Sequence, residues 1–428
     1  MRKKFLLQTP TGMHDILPED QKYYQKIFNV VSEIANFYNF QRIETPILER
    51  TELFSTSIGL ATDIVQKEMF SFKTKGGDSL TLRPEGTAPI ARAFIQHGMQ
   101  NLPQPVKLWY FGPFFRYEHP QAGRYRQFWQ FGFEVLGAKS SVIDAQIVQI
   151  FFNIFQELKL KNVLIKVNSI GDKTCRPYYK KLLSNYLKYR TEELCENCRR
   201  RLKENPLRVL DCKEEKCQRV IHGAPQIIDH LCEECRTHFK EFLEFLEELG
   251  LPYQLDTKLV RGLDYYTRTV FEFFEESEKG KEIGAIAGGG RYDNLIKMLG
   301  KQDTPGVGGA GGVERIISLI KEKAIKFPKE KKVEVFLAQL GNLAKRKSLL
   351  LIENFRKEGI PVFESLDRDS LKAQLRLADK LGVRYTLILG QKEVLEGTIL
   401  LRDMISGKQE IIKLDKILPE IKKRLKKI

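Results

Sequence analysis

Polar side chains alternate with aromatic ones through residues 114–135, FFRYEHPQAGRYRQFWQFGFEV. Two apolar runs flank a polar stretch that includes a proline and a glycine, which is the pattern of a β-hairpin with a long loop. Because successive side chains of a strand point to opposite faces, one face of this hairpin is aromatic and the other is polar. The polar face holds a cation, two carboxylates and an amide, with a further cation near the loop: Arg116, Glu118, Glu134, Gln130 and Arg124.

A polar face of this kind is costly to bury unless its groups meet a ligand or each other. A guanidinium group is a permanent, planar donor for phosphate. A carboxylate and an amide suit an ammonium group or an imidazole N–H, and Gly132 is expected to leave room between Gln130 and Glu134. The residues by themselves leave two interpretations open, a ligand site or a salt-bridged exterior face of an antiparallel sheet.

Two other stretches place polar groups beside predicted strand ends. Glu85 and Thr87 follow the strand that ends at Arg83-Pro84, at a strand-to-helix turn where a carboxylate can face an ammonium group; a plain helix cap is the alternative. Arg261 lies between apolar runs and needs an anion there; a paired structural arginine is the alternative.

The glycine-rich stretch GVGGAGGVERIISLI, residues 306–320, contains a literal GxGxxG. A dinucleotide site would need a buried strand before these glycines, but KQDTP, which precedes them, reads as a loop. No GK[ST] follows, so a P-loop is not indicated either. The pattern instead predicts a glycine-rich strand that runs into a helix carrying Arg315 in its first turn.

The segments FRYE and GRYRQFWQFGFE resemble motif 2 of the class II aminoacyl-tRNA synthetases, in the form found in histidyl-tRNA synthetases. RPEGT, about 30 residues earlier, is similar to the amino-acid-binding turn of that family. RGLDYYTRTVFE and AGGGRYD resemble its two signatures, and the glycine-rich strand resembles motif 3. The first helix and a predicted strand over 40–48 resemble motif 1, the class II dimer interface. The resemblance covers nearly the whole chain.

The resemblance implies an α+β fold: a class II synthetase core, in which helices flank an antiparallel sheet, with a helical insertion and a C-terminal α/β anticodon-binding domain. The expected boundaries are 1–174 for the first part of the core, 175–253 for the Cys-rich insertion, 254–325 for the second part and 330–428 for the last domain. Residues 321–332 read as a charged linker.

The implied activity is that of a histidyl-tRNA synthetase, which activates L-histidine with ATP and transfers it to the 3′-terminal adenosine of tRNA(His). In that family the counterparts of Arg116 and Arg261 are catalytic at the α-phosphate. Arg124 and Arg315 are expected at the outer phosphates, with Mg²⁺ bridging, and Glu118 at the adenine. Residues expected to bind histidine are Glu85, Gly86, Thr87, Gln130, Glu134, Tyr265 and Tyr266.

All seven cysteines lie in the Cys-rich stretch, and six of them lie between residues 195 and 235. Two CxxC pairs about 33 residues apart could close a tetrahedral zinc site, with Cys195, Cys198, Cys232 and Cys235 as ligands. Cys212 and Cys217 are possible substitutes, and Cys175 reads as an ordinary unpaired residue. The alternative is that the cysteines are reduced and bind no metal. The resemblance does not decide between the two, because not every member of that family contains zinc.

The length and net charge of the chain limit its domain number and its partners. A length of 428 residues favours two or three domains, and a net charge of +16 with a pI of about 9.3 favours a polyanionic partner such as RNA. The apolar run near the N-terminus, Phe5 to Leu7, is too short for a signal peptide, and no stretch approaches the ~20 apolar residues of a membrane span. We therefore expect a cytoplasmic protein with reduced cysteines and no membrane partner, and a homodimer by resemblance.

Three other functions are alternatives to that of a synthetase. The synthetase-like regulatory subunit of ATP phosphoribosyltransferase shares the core fold, but it generally lacks the C-terminal domain and degrades the arginine motifs. An RNA-binding module would explain the charge but not Glu85, Gln130 and Glu134. An NAD-dependent enzyme would depend on the GxGxxG alone. Histidine-dependent ATP–pyrophosphate exchange separates the regulatory subunit and the RNA-binding module from the synthetase.

Overall fold

The computed structural model describes residues 7–60, 62–119, 123–275, 284–300, 302–327 and 333–426. The chain forms two compact units, Met1–Ile325 and Lys326–Ile428. No described helix is both long and apolar enough to cross a membrane.

The α-helices of the first unit are α1 Pro18–Phe37, α2 Thr51–Ile58, α3 Thr87–Gln96, α4 Ser141–Glu157, α5 Arg176–Lys188, α6 Glu196–Glu204, α7 Glu215–His222, α8 Glu233–Glu248, α9 Leu295–Met298 and α10 Val313–Glu322. Its strands are β1 Gln41–Arg42, β2 Leu48–Arg50, β3 Phe70–Lys73, β4 Ser79–Leu82, β5 Val106–Phe115, β6 Gln127–Leu136, β7 Val163–Ser169, β8 Tyr253–Leu255, β9 Thr267–Glu275, β10 Ala287–Arg291 and β11 Gly306–Gly312.

An eight-stranded sheet forms the centre of the first unit, in the order β1-β5-β6-β11-β10-β9-β7-β8. Neighbouring strands are antiparallel except β1 with β5 and β7 with β8, which are parallel. A smaller antiparallel sheet has the order β2-β4-β3. The antiparallel sheet with flanking helices confirms the predicted fold class.

The aromatic face of the large sheet packs against α4. Phe131 and Phe133 of β6 and Phe271 and Phe273 of β9 surround Phe151, with ring centroids 5.7 to 6.4 Å from that of Phe151. These rings are buried, and their offset and edge contacts add to the apolar area removed from water. The aromatic face predicted from alternation on β6 is therefore confirmed, and the opposite face is left for polar groups.

The central hairpin begins earlier than the sequence indicated. β5 pairs with β6 from Val106 to Phe115, and the strand ends before Arg116. The amide of Arg116 still donates to the carbonyl of Arg126 at 2.9 Å, but the amide of Tyr117 turns to the carbonyl of Glu68 at 2.7 Å. After Arg116 the chain therefore leaves β6, and its backbone bonds to that of Glu68 instead. Pro120, part of the predicted loop, lies outside the described residues.

The strand predicted over 40–48 is also divided. Only Gln41–Arg42 pairs with β5, and Leu48–Arg50 joins the smaller sheet instead. Pro46 between them has no N–H to give to a ladder, which fits the break.

The stretch from Cys175 to Gly250 is fully described and consists of helices and turns, as its composition predicted. Its side chains join the core beside α2 and α3, in one cluster that includes Phe54, Phe94, Tyr179 and Leu187. Within the first unit this segment is therefore packed on the sheet-and-helix core.

The second unit contains β12 Val335–Gln339, α11 Asn342–Lys357, β13 Val362–Glu364, α12 Leu371–Leu381, β14 Tyr385–Leu389, α13 Gln391–Glu396, β15 Thr398–Asp403, β16 Gln409–Lys413 and α14 Ile417–Leu425. Its sheet has the order β13-β12-β14-β15-β16, parallel in the first three strands and antiparallel in the last two. The α/β architecture expected for this domain is confirmed. The mostly exposed β16 and the short α13 bury no regular apolar face, so hydrophobic periodicity alone does not identify them.

Candidate active site

A cavity of about 240 Å³ opens on the polar face of the large sheet. Its walls come from the turn before α3, the hairpin, the segment entering β9, and the β11–α10 junction. Eleven of the twelve residues predicted to bind histidine or ATP line it together: Glu85, Gly86, Thr87, Arg116, Glu118, Arg124, Gln130, Arg261, Tyr265, Tyr266 and Arg315. Stretches that are 230 residues apart in the chain, from 85 to 315, therefore form one site.

One end of the cavity is built on the buried carboxylate of Glu85. It accepts hydrogen bonds from the backbone amides of Thr87 (2.7 Å) and Ala88 (2.8 Å) and from the hydroxyl of Tyr265 (3.2 Å). Burial raises the pKa of this carboxyl, and the backbone amides partly oppose that shift. Glu85 therefore caps the N-terminus of α3 and also faces the cavity, so the two interpretations offered by the sequence are compatible.

Glu134 is the predicted residue that does not line the cavity. It is fully buried and accepts hydrogen bonds from the hydroxyls of Thr87 (2.6 Å) and Tyr292. Burial raises its pKa to about 8. The structure thus places Glu134 behind Thr87, as a support for that hydroxyl rather than as part of the cavity wall.

Gly132 does not leave the open space that the sequence suggested. The ring of Tyr110 fills it, since a Cβ at Gly132 would lie 2.3 to 2.6 Å from that ring. Tyr110 itself lines the cavity and separates Gln130 from Glu134. Because the partner of Gly132 comes from the neighbouring strand, alternation along β6 alone could not identify it.

Arg261 reaches the same face from the segment before β9. Its guanidinium pairs with the carboxylate of Glu272 on β9 and lies 5.4 Å from the ring centroid of Tyr266. Burial lowers the pKa of the guanidinium, but Glu272 and Tyr266 more than offset this and the pKa lies above its usual value. A Cβ at Gly288 would lie 2.6 Å from Nη1, so the glycine lets the sheet backbone pass under this cation.

Three other arginines occupy the hairpin side. Arg116 donates from Nε to the carbonyl of Pro84 at 2.9 Å, and Arg315 donates to the carbonyls of Gly123 (3.2 Å) and Ala285. Arg116 and Arg124 each approach the carboxylate of Glu118 only to 3.8 Å. This end of the cavity therefore has more cations than closely paired carboxylates.

Two carboxylates that line the cavity were not predicted from the sequence. Glu272 alternates with Phe271 and Phe273 on β9, so strand periodicity could have placed it on the polar face. Glu314 follows the glycine-rich strand and accepts from the amide of Trp129 (2.9 and 3.0 Å) and from the hydroxyl of Tyr24 (3.2 Å). Burial raises its pKa to about 7. No sequence pattern pointed to Glu314, whose contacts join α1, β6 and α10.

The segment AGGGRYD, residues 287–293, stabilises the site through a buried ion pair and a buried hydrogen bond. Arg291 and Asp144 are both fully buried and form an ion pair that also involves Asp293. The adjacent Tyr292 bonds to Glu134. Because an unpaired buried charge would cost several kcal/mol, this pair fixes the end of β10 beneath the cavity.

The cysteines do not group as predicted. Cys195 and Cys198 come together with Cys212 and Cys217, whereas Cys232 and Cys235 come together with Cys175 and Asp172. The two CxxC pairs, at the starts of α6 and α8, therefore belong to different clusters. The prediction that Cys175 stands alone is also wrong.

Comparisons with known proteins agree with these observations. The family model described as histidyl-tRNA synthetase matches residues 12–316, and the model described as anticodon binding domain matches residues 334–424. Histidine–tRNA ligases of Dehalococcoides mccartyi and Caldicellulosiruptor saccharolyticus are each 44% identical over 420 residues, which are 98% of this chain and 100% of each relative. A crystal structure of apo histidyl-tRNA synthetase from Staphylococcus aureus matches with a TM-score of 0.80 and 36% identity, covering 97% of this chain and 99% of the other.

Proposed function

The chain belongs to the histidyl-tRNA synthetase family, and from that premise we propose how its cavity ligates histidine to tRNA. The enzyme is an ATP-dependent histidine–tRNA ligase. In the first step, the carboxylate of histidine attacks the α-phosphorus of ATP, which gives histidyl-adenylate and pyrophosphate. In the second step, a hydroxyl of the terminal adenosine of tRNA(His) attacks the adenylate carbonyl and AMP leaves.

The observation that carries the assignment of residues is the convergence of four arginines on one cavity that also contains Glu85. We assign Arg116 and Arg261 to the α-phosphate, where negative charge builds up as the histidine carboxylate attacks. Arg261 is only 18% exposed, permanently charged and already oriented by Glu272, so its orientation costs little reorganisation during the reaction. Positioning the two substrates supplies the rest of the acceleration.

The remaining cations hold the leaving group. Arg315 is fixed by two backbone carbonyls, and Arg124 stands at the more open side, where its side chain is 44% exposed. We assign both to the outer phosphates of ATP, and Glu118 to the adenine. Their charge also stabilises the pyrophosphate as its bond to the α-phosphorus breaks.

Mg²⁺ enters as the counter-ion of ATP. Glu272 fits it by donor chemistry, because a carboxylate on the cavity wall is the hard oxygen ligand that Mg²⁺ prefers. When bound, the ion neutralises charge on the phosphate oxygens.

The opposite end of the cavity recognises histidine. Glu85 is the counter-charge for the α-ammonium group, with Gly86 and Thr87 beside it. Gln130, Tyr265 and Tyr266 surround the imidazole, and Glu134 keeps the Thr87 hydroxyl in place. Rejection of other amino acids follows, because a wrong side chain leaves these buried polar groups unpaired.

The second unit, with the anticodon-binding match, is assigned to tRNA(His), and the net charge of +16 favours that polyanion. The motif 1 segment is assigned to a homodimer interface, and the enzyme to the cytoplasm. Analytical ultracentrifugation tests the dimer: a monomer at micromolar concentration would contradict it.

Histidine-dependent ATP–pyrophosphate exchange on purified protein is the deciding experiment for the chemistry. Exchange is expected with histidine and with none of the other nineteen amino acids. The same preparation should then charge tRNA(His). An absence of exchange with folded protein and Mg²⁺ would favour the regulatory subunit of ATP phosphoribosyltransferase instead.

A further inference from the structure

All seven cysteines of the chain are reduced, and they divide into a group of four and a group of three. The first group is Cys195, Cys198, Cys212 and Cys217. The second is Cys175, Cys232 and Cys235, and the carboxylate of Asp172 completes it as a fourth donor. In each group the four donor atoms all lie within 4.8 Å of one another. Two four-donor sets, one of which includes a carboxylate, thus account for all seven cysteines. A single set of four cysteines would leave three without a role.

The first group has the hydrogen bonds expected around thiolates. The sulfur of Cys195 caps α6 by accepting from the amide of Cys198 at 3.4 Å, and the sulfur of Cys217 accepts from the amide of Cys195 at 3.2 Å. The sulfurs of Cys195 and Cys212 are 3.8 Å apart. Amide donors of this kind stabilise negative sulfur, which is the form that binds metal.

The second group surrounds a carboxylate oxygen. Oδ1 of Asp172 lies 3.8 Å from the sulfur of Cys175 and 3.9 Å from that of Cys232. The backbone is fitted to this cluster, since a Cβ at Gly171 would lie 2.6 Å from the sulfur of Cys175 and the residue has φ +63°. The other oxygen of Asp172 accepts from Arg268 at 3.2 Å, which is the outer partner that ligating carboxylates commonly have.

We propose that this chain binds two zinc ions, the first at Cys195, Cys198, Cys212 and Cys217 and the second at Asp172, Cys175, Cys232 and Cys235. Tetrahedral zinc has Zn–S distances of about 2.3 Å and Zn–O distances of about 2.0–2.2 Å, which places ligand atoms roughly 3.5–4 Å apart. The observed separations of 3.8 and 3.9 Å match that geometry. Sulfur-rich tetrahedral sets favour zinc over the hard cations.

The two ions have different positions. The first joins α6 and α7, the shortest helices of the Cys175–Gly250 segment, which bury few large side chains of their own. A structural zinc supplies folding free energy to such small modules. The second joins the start of α5 to the start of α8, so it ties together two points 57 residues apart, where the segment leaves the core and where its last helix begins.

The second ion also lies next to the histidine end of the cavity. Arg268 bridges Asp172 and Glu234, at 3.2 Å from each, and its amide donates to the carbonyl of Gly171 at 2.8 Å. Arg176, the first residue of α5, donates to the carbonyl of Tyr266 at 2.7 Å. The second site therefore positions the backbone of Tyr266, a consequence that rests on the histidine-binding role proposed for that residue.

Elemental analysis of the full-length protein, expressed with added ZnCl₂ and freed of loose metal, tests the proposal directly. Two zinc ions per chain are expected. Cys212→Ser with Cys217→Ser should leave one, and Asp172→Asn with Cys235→Ser should also leave one. Asp229→Asn, an exposed carboxylate of the same segment in neither set, is the matched control and should keep two.

A second measurement keeps the test valid if a variant fails to fold. In the wild-type protein, alkylation followed by mass spectrometry should show all seven cysteines protected, and an added chelator should expose them as a group of four and a group of three. Co²⁺ exchanged into both sites should give thiolate charge-transfer bands whose intensity falls in each variant. Zero or one zinc per chain, iron in place of zinc, or a disulfide among Cys175, Cys232 and Cys235 would overturn the proposal.

The positions of the two ions predict different kinetics in pyrophosphate exchange. The second-site variant is expected to raise KM for histidine about tenfold with a smaller change in KM for ATP, whereas the first-site variant should lower thermal stability and leave KM for histidine near the wild-type value. An equal effect of both variants on KM for histidine would remove the positioning role of the second ion but not its binding, which the metal content decides separately.

Discussion

The two ends of the cavity satisfy their polar groups in different ways. At the end that we propose binds histidine (the histidine end), Glu85 and Glu134 already accept hydrogen bonds from backbone amides and hydroxyls, all within the protein. At the end that we propose binds ATP (the phosphate end), Arg116 and Arg124 reach a carboxylate only at 3.8 Å. The histidine end is thus preorganised without its ligand, whereas the phosphate end has positive charge that ATP can neutralise.

The difference between the two ends follows from the charge and the polar groups of the ligand proposed for each. Histidine carries a small ammonium and an imidazole, which need a fixed constellation of acceptors if other amino acids are to be rejected. ATP carries several negative charges, so excess cations bind it and steer it, and a full set of internal carboxylate partners would work against that. Substitutions at the two ends should therefore change different kinetic constants.

Arg261→Ala should give the largest loss. Arg261 combines burial with a permanent charge beside the proposed reaction centre, so its removal should lower kcat for adenylation by roughly 10²-fold or more. Pyrophosphate exchange under saturating substrates measures this. Arg261→Lys is the matched control, and it should recover only part of the rate, because an ammonium group cannot reproduce the planar geometry. A kcat within twofold of wild type for Arg261→Ala would remove this residue from the mechanism.

Glu85→Gln should come next and should affect histidine rather than ATP. The amide has one acceptor oxygen where the carboxylate serves two backbone amides, and it loses the counter-charge for the ammonium group. A charged hydrogen bond contributes about 1.5–3 kcal/mol, so KM for histidine should rise roughly 10- to 100-fold.

Steady-state exchange over a range of histidine concentrations checks the Glu85 prediction, with circular dichroism to show that α3 is intact. Thr87→Ser keeps the hydroxyl bonded to Glu134 and is the control, for which a much smaller change is expected. If KM for ATP rises as much as KM for histidine in Glu85→Gln, the two ends of the cavity are not separate.

Arg315 and Arg124, both assigned to the outer phosphates, should differ in how much they contribute to KM for ATP. Arg315 is held by backbone carbonyls, so Arg315→Ala should raise KM for ATP at least about tenfold, within the range for a charge-assisted hydrogen bond. Arg124 is 44% exposed, so Arg124→Ala should raise it only about two- to fivefold, and less at high salt. Measuring KM for ATP at two ionic strengths distinguishes them; an Arg124 effect that does not change with salt would contradict the assignment.

Much of this site could be predicted from the sequence, because its elements have strict periodicities. Alternation on β6 placed Phe131 on the aromatic face and Gln130 on the polar one, because a strand offers only two faces. The turn at Glu85 and the segment at Arg261 were found as local patterns. Their convergence on one cavity was expected only because the motifs occur in the order of a known family.

What could not be predicted depends on contacts between distant segments. Glu134 lies on the expected face of β6, but Thr87 stands in front of it and Tyr292 packs behind it. Likewise, the sequence suggests that two CxxC pairs form one site, although helix packing brings Cys195 to Cys212 and Cys235 to Cys175. The CxxC spacing predicts that the two cysteines of each pair lie together, but not which distant thiols join them.

Glu134→Gln should have a modest effect on activity, and the stability difference from wild type should depend on pH. Glu134 lies outside the cavity wall, and its pKa is raised from 4.5 to about 8 by burial. Between those two values the folded chain holds a proton that the unfolded chain releases, so the free energy of unfolding falls as pH rises toward 8 and levels off above it. Because glutamine has no such proton, wild type should lose stability relative to Glu134→Gln by up to about 1.4 kcal/mol per pH unit across this window.

Urea unfolding of both proteins from pH 5 to 9 measures the difference, with Asp229→Asn, a carboxyl-to-amide change at an exposed position, measured alongside as the control. In Glu134→Gln the glutamine keeps an oxygen that can accept from the Thr87 hydroxyl. We therefore expect kcat/KM for histidine to fall no more than about tenfold, which corresponds to the loss of one neutral hydrogen bond. A stability difference that stays constant with pH would mean that Glu134 is ionised in the folded protein at pH 7, and the histidine end of the cavity would then carry two negative charges rather than one.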